Sequence, residues 1–371
     1  MSMENLVSVV IPTFNREKVV CRAINSALNQ THSNIEVILV DDGSTDCTPE
    51  LIARAYKNEP RLKYIRTANG GVSRARNTGI KASAGDYVAF LDSDDYWIPW
   101  KIEAQVKCLE LLPQAGMIWS DMDSVDDNGT LLHERYLRRM YSAYERISDL
   151  GLNLFSAEHS ISTTSMGVKD LPNHLRLFEG NIFSPMVIGN LVHTSTCLLR
   201  RSRLEKIGGF REDLQVTGED YDFHLRTCRE GAVAYLDTQT ICYTVGRSDQ
   251  LTAPSLSVYM AKNYLRTLEL VLAESRNLIE LPDKEIEEIL IRAHQWVANT
   301  ALHAGSRSDA WQHAIKCICV RPFRPTPYVT CCASLIPRLW FVLLCGYRRT
   351  AKQVIRKIFI AEKRIGPAGL H

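Results

Sequence analysis

Residues 7–15 read VSVVIPTFN, residues 35–44 read IEVILVDDGS and residues 87–95 read YVAFLDSDD. Each is an apolar run of strand length that stops on a polar cluster, as strands buried on both faces do when they enter a loop. Between the first two, Val20, Ile24, Ala27 and Leu28 recur at helical spacing from Glu17 to Asn29, giving one buried face. Thr48-Pro49 supplies an N-cap and a proline at N1 for a second helix, to about Lys57. Leu62 to Ile65 is a short strand, Asn69-Gly70-Gly71 a turn, and Val72 to Ala82 a helix before Gly85. Strand and helix alternate in this way to about residue 120. Parallel strands need crossover connections, so the alternation predicts an α/β fold with a mainly parallel sheet and helices on both faces. Ligands of such sheets bind beyond the carboxyl ends of the strands, where Thr13-Phe14-Asn15, Asp41-Asp42 and Asp92-Ser93-Asp94-Asp95 all fall.

At 371 residues the chain exceeds one typical domain and suggests a core with attachments. We divide it into a domain over 1–250, with a nucleotide-binding half (1–120) and an acceptor-side half (121–250), and a helical C-terminal extension over 251–371. A net charge of +2 excludes the basic balance of a nucleic-acid binder. The 11 cysteines form no CxxC pair or regular frame and read as reduced thiols. Val7 to Ile11 is too short for a signal peptide, so a cytoplasmic protein is expected.

After Ser120 the pattern loses its period, and 121–185 reads as an excursion over the ligand edge. Thr194 to Leu199 is strand-like, Ile207-Gly208-Gly209-Phe210 a turn, and Gly218-Glu219-Asp220 opens a helix through Arg229. Helical patterning holds from Val258, and 286–320 reads as a hairpin whose Ala301, Ala304, Ala310 and Ala314 permit close packing.

Two carboxylates at i and i+2 past a strand end, Asp92 and Asp94, can turn toward one hard divalent cation, or toward a cation and a ribose. Alone, such a pair also suits an acidic loop or a helix cap. Asp41-Asp42 likewise fits turn chemistry, yet beside Pro12-Thr13-Phe14-Asn15 it can accept from the imide N–H of a pyrimidine base while the Thr13 to Asn15 loop meets base and ribose. Together the clusters outline a nucleotide pocket.

The segments VSVVIPTFNRE, IEVILVDDGSTDCT, GGVSRARNTGI and DYVAFLDSDDYW, in this order and spacing, closely resemble the family 2 glycosyltransferases, strongly over residues 7–100 and more loosely to about 250. The resemblance implies a GT-A fold, a nucleotide-diphosphate sugar donor, and inversion at the anomeric carbon. It places Asp42 on the base, Asp92 on the ribose or donor sugar, and Asp94 as the protein ligand of Mn2+ or Mg2+ on the diphosphate. Pro12, Thr13, Asn15, Ser93, Arg76 and Asn77 join the donor site, and Gly209 of the GGF segment lies under the donor sugar. Asp95 is either a second ligand or a cap for the helix after Pro99, with capping preferred. Asp220 of Glu219-Asp220 is the general base, with Glu219 its main competitor. Where many relatives carry a basic or His-containing motif, Tyr243 to Gln250 holds Arg247 and no histidine, so Arg247 is assigned to the diphosphate loop. The QxxRW motif of processive synthases is missing, which favours transfer of single sugars.

A sugar-nucleotide pyrophosphorylase would need a Gly-rich loop with Arg and Lys after the first strand, which PTFNRE is not. A phosphatase would place its nucleophilic aspartate after the first strand, a receiver-type module leaves Asp92 and Asp220 unexplained, and an inactive sugar-binding relative would have lost the base.

Past Pro322 the bases Arg324, Arg338, Arg348, Arg349, Lys352, Arg356, Lys357, Lys363 and Arg364 face one acid, Glu362. Tyr328 to Tyr347 is largely apolar, but Pro337 and Arg338 interrupt it, and arginine at the centre of a spanning helix costs about 2.5 kcal/mol or more. We expect this tail to lie on an anionic membrane surface without crossing it, which suits a glycan or lipid-linked glycan acceptor of the kind that resemblance to cell-envelope glycosyltransferases implies.

Overall fold

The early apolar runs form strands β1 (Val7–Thr13), β2 (Ile35–Asp41), β3 (Leu62–Arg66) and β4 (Tyr87–Phe90), parallel and in the order β3-β2-β1-β4. The crossovers are helices α1 (Val20–Leu28), α2 (Thr48–Ala55) and α3 (Val72–Ala82). α1 buries Val20, Ala23, Ile24, Ala27 and Leu28, the expected face. On α3, a Cβ at Gly79 would come within 2.3 Å of Val10 Cγ1. Only glycine lets this helix lie so close to β1, and overpacking of this kind costs roughly 1–3 kcal/mol. The computed structural model describes residues 5–163, 172–214, 216–247 and 254–335.

β1 runs two residues past its expected end at Ile11. Its pairing with β4 stops at Val10↔Phe90, while pairing with β2 continues to Thr13↔Asp41. Pro12 therefore sits where the strand is paired on one side only, which spares its missing N–H.

Beyond β4 the sheet continues through β10 (Leu198–Arg200), β6 (Met117–Val125), β11 (Val233–Thr244), β9 (His174–Gly180) and β8 (Ala157–Ser162). β10 is antiparallel to both neighbours, while β6 and β11 resume the direction of the first four strands. Short strands β5 (Tyr96–Trp97) and β7 (Leu131–His133) pair with β11 and β6. The remaining helices of this region are α4 (Lys101–Leu111), α5 (Leu137–Met140), α6 (Ala143–Asp149), α7 (Phe183–Ile188), α8 (Arg201–Ile207), α9 (Glu219–Arg229) and α10 (Ser257–Ser275). The sheet is thus mainly parallel, with helices on both faces.

Two sequence expectations change here. Thr194-Ser195-Thr196 is a single 3-10 turn, not strand, because Thr196 gives both its N–H (3.0 Å) and its hydroxyl (2.6 Å) to the His193 carbonyl. Such local side-chain bonds compete with a ladder. The excursion after Ser120 contains strands that the composition hides: β8 exposes most of its residues, so it lacks an apolar pattern.

The chain divides into two compact units, Met1–Ile286 and Glu287–His371. Most of α11 (Asp283–Ala304) belongs to the second, where it leads by a tight turn into α12 (Arg307–Val320) and then α13 (Pro325–Leu335). Ala301, Ala310 and Ala314 are fully buried as expected, whereas Ala304 is exposed. His294 Nδ1 lies 2.9 Å from His313 Nδ1, and the Cys317 thiol donates to the Ile291 carbonyl. The cysteines among the described residues are free thiols. No helix among the described residues is long and apolar enough to cross a membrane. The basic tail from Arg338 onward lies outside the described residues.

Candidate active site

Parallel pairing puts the ends of β1, β2 and β4 side by side, and with them the three polar clusters. Asn15 takes a left-handed backbone (φ 52°), which asparagine tolerates, and its Oδ1 accepts from the N–H groups of Thr45 (2.8 Å) and Asp46 (3.3 Å). It shapes the loop after β2. Asp41 is fully buried and accepts from Ser44 N–H (2.8 Å) and the Tyr64 hydroxyl (2.6 Å). Asp42 accepts from the Gly70 (2.8 Å) and Gly71 (2.7 Å) amides, pinning the turn that starts α3. Pro12 and Thr13 are buried, and the buried Thr13 Oγ1 has no hydrogen-bond partner.

Arg76 is the centre of the carboxylate cluster. Its guanidinium is 4% exposed and forks between Asp92 Oδ1 (2.7 Å) and Glu219 Oε1 (2.6 Å). Asn77 is spent on the GGF segment: it accepts from Phe210 N–H (2.8 Å) and donates to the Phe210 carbonyl and to Glu212 (both 2.9 Å). A Cβ on Gly209 would come within 2.2 Å of Asn77 Oδ1, so the glycine is what admits this clamp. Gly218, left-handed at φ 93°, starts α9, and α10 supports that start through Tyr264 stacked on Tyr221 (4.8 Å) and Asn263 donating to the Thr217 carbonyl (2.7 Å).

The environments separate the acids. Burial is the largest influence on Asp92 and opposes its ionisation, but the Arg76 charge, His193 and the hydrogen bonds from Arg76 and Ser195 together outweigh it and hold the carboxyl below the usual range. Burial, aided by the Glu219 charge, pushes Asp220 up to about 7. Asp220 Oδ2 is reached only weakly, by Asn190 at 3.5 Å, which leaves that oxygen open to a proton. Asp94 is raised by burial and by Asp92, with Arg16 opposing at 3.8 Å. Ser93 is buried within the same loop. Arg247 pairs with Asp127 at 3.0 Å and contributes positive potential at Asp94.

Asp95 is not a helix cap. Its oxygens accept from Thr244 N–H (3.0 Å) and the Ser195 hydroxyl (3.1 Å), tying the loop to β11 and to the 3-10 turn, while burial and its acidic neighbours raise its pKa well above normal. A residue that the sequence did not suggest joins it. His193 is 7% exposed, its Nδ1 has no hydrogen-bond partner, and burial lowers its pKa to about 4. Candidate ligand atoms of Asp92, Asp95 and His193 all lie within 4.8 Å of one another. A buried orphan nitrogen costs roughly 1–3 kcal/mol, and two carboxylates with one imidazole are a donor set that a divalent cation accepts. The residues present therefore fit the cation that the resemblance implies. A lone histidine at the end of an irregular loop carries no periodic signal, which is why reading the chain did not find it.

Residues 8–166 match the family model described as Glycosyl transferase family 2. An uncharacterized glycosyltransferase of Rickettsia conorii is 31% identical over 286 residues, covering 75% of this chain and 42% of the relative. One of Rickettsia typhi is 31% identical over 253 residues, covering 68% of this chain and 67% of the relative. The chain therefore spans less than half of the first relative's length and about two thirds of the second's. Among solved structures, S. aureus TarS 1-349 in complex with UDP-GlcNAc superimposes with a TM-score of 0.55 at 18% identity, covering 93% of this chain and 92% of TarS 1-349. At that identity the likeness is one of fold.

Proposed function

The chain belongs to glycosyl transferase family 2, and on that premise we propose that it transfers a sugar from a UDP-sugar to a hydroxyl of a glycan or lipid-linked glycan acceptor, with inversion at the anomeric carbon. The observation that carries this reading is the Arg76 fork, which brings Asp92 and Glu219, the neighbour of Asp220, to one guanidinium. UDP is the nucleotide held by TarS 1-349 on the same fold.

In this reading Thr13, Asn15 and Asp42 receive the base and ribose, Asp92 the ribose or donor sugar, and Gly209 lies beneath the sugar. Asp42 and Asn77 act partly by shaping the loops that make these contacts. Glu219 is neutralised by Arg76, which leaves Asp220 to take the proton. The acceptor O–H bond breaks toward the Asp220 carboxylate as the oxygen attacks the anomeric carbon. The bond from that carbon to the diphosphate oxygen breaks on the opposite face, and its electron pair leaves with UDP. A group poised near 7 is suited to this work at neutral pH. A divalent cation, Mn2+ or Mg2+ with Asp94 among its ligands, supplies charge neutralisation for the departing diphosphate when bound. Arg16 and Arg247 add positive charge on that side. Residues 1–120 then serve the donor, 121–250 the acceptor, and 251–371 the helical extension.

The test is hydrolysis and transfer from a panel of UDP-, dTDP- and GDP-sugars with and without Mn2+. UDP-sugar turnover that EDTA and Asp94→Ala each abolish is expected. Full activity of Asp94→Ala in EDTA would sink the cation reading, and turnover confined to another nucleotide would overturn the donor.

A further inference from the structure

We propose that His193 is a nitrogen ligand of the divalent cation, grouped with Asp92 and Asp95, and that this ligand makes the site prefer Mn2+ to Mg2+. The inference rests on the reading above that a cation binds at this edge of the sheet.

Position is the first ground. Ligand atoms of the three residues lie within 4.8 Å of one another, close to the span across a single ion whose ligand bonds are roughly 2.0–2.3 Å. Asp92 accepts from Arg76 through Oδ1, and Ser195 also hydrogen-bonds to its carboxylate.

The second ground is the state of satisfaction of the loop that carries the ring. Thr194 Oγ1 pairs with His224 Nε2 (3.1 Å), Ser195 Oγ donates to Asp95 (3.1 Å), and Thr196 Oγ1 donates to the His193 carbonyl (2.6 Å). Each polar side chain of that turn is satisfied within the protein, whereas His193 Nδ1, equally buried, is not. Nor is the ring loose. It packs T-shaped against the Tyr243 ring with centroids 5.0 Å apart, and the residue's carbonyl is held by the N–H and hydroxyl of Thr196. A fixed, buried imidazole that has one unpaired nitrogen and is grouped with two carboxylates is arranged as a ligand is arranged.

The third ground is the donor set. Mg2+ demands octahedral oxygen and sheds water reluctantly, so imidazole is a poor ligand for it. First-row transition ions accept mixed nitrogen and oxygen sets. One imidazole among carboxylates therefore tilts an otherwise hard site toward Mn2+.

Electron spin-echo envelope modulation of Mn2+ with UDP, on the full chain carrying 15N-labelled histidine, tests this directly. The expected spectrum shows 15N coupling to Mn2+, and His193→Gln removes it, weakens Mn2+ binding roughly tenfold or more, and leaves Mg2+ binding within about twofold. A wild-type spectrum without histidine coupling overturns the inference, and so does a His193→Gln protein that keeps both the coupling and the preference for Mn2+. Should His193→Gln fail to fold by circular dichroism, His193→Asn and the wild-type spectrum decide by the same criteria. Mn2+ bound through Asp94 without histidine coupling defeats this inference but leaves the cation reading standing. No Mn2+ bound in the presence of UDP defeats both.

Discussion

Arg76 lies 2.6 Å from Glu219, a residue 143 positions further along the chain, and does so with 4% of its side chain exposed. The same guanidinium is 2.7 Å from Asp92. The buried charges of Arg76 and Glu219 and the half-buried Asp92 thus meet at one point.

Arg76→Lys should break that point. A single ammonium cannot fork between two carboxylates as a guanidinium does, so one buried acid loses its partner. Unpairing a buried charge costs about 3–5 kcal/mol. Urea unfolding should show a loss of that order, together with a fall in UDP binding. A stability within about 1 kcal/mol of wild type would mean that the fork is not energetically important.

The rate of sugar transfer should depend on the ionisation of Asp220. Its folded pKa is raised to about 7, and the base works only when deprotonated. The kcat/KM of transfer should fall about tenfold per pH unit below 7 and level off above it. Asp220→Asn should cost roughly 10²–10⁴-fold in kcat while UDP binding persists. If Glu219→Gln instead removes the pH dependence and Asp220→Asn keeps it, the base is Glu219.

Lys101 offers a stability prediction away from the site. It is fully buried, donates to Gln105 Oε1 (2.7 Å) and sits 4.3 Å from the Trp97 ring. Burial lowers its pKa from 10.5 to about 7. The unfolded chain holds the proton more tightly between those values, so stability should rise with pH from about 7 to 10.5 and carry the full penalty of the buried charge below 7. The slope approaches about 1.4 kcal/mol per pH unit. Lys101→Met should remove this component, and parallel urea curves for the two proteins at pH 7 and 9 check it. An equal change with pH in both would refute the assignment.

The basic tail should bind anionic membrane. Full-length protein should sediment with phosphatidylserine vesicles at low salt, and protein truncated after Leu335, which keeps α13, should stay in the supernatant. Equal recovery of the two in the supernatant would show that these bases serve another purpose.

The parts legible in the sequence are those with a period. β1, β2 and β4 are continuous apolar runs, α1 repeats at helical spacing, and the polar clusters at the strand ends lie together because parallel strands bring like ends together. Asp95 and Thr194–Thr196 depart from expectation because their local patterns, acid before a helix and β-branched run, are common to caps and strands. The deciding interactions come from Thr244 and from the His193 carbonyl, the first of them 149 residues from Asp95. Asn77 looked like a ligand contact, yet in the folded protein its amide is committed to Phe210, 133 residues away. Only the tertiary arrangement separates an asparagine that binds from one that holds a loop.

α3 opens on two amides fixed by Asp42 and, within two turns, presents Arg76 to Glu219 and Asn77 to Phe210. For recombination among such chains this sets where a seam can run. A graft that exchanges everything after residue 120 would separate Arg76 from Glu219 and Asn77 from Phe210. One that carries α3 together with the segment from Ile207 to Asp222 would keep Arg76 with Glu219 and Asn77 with Phe210.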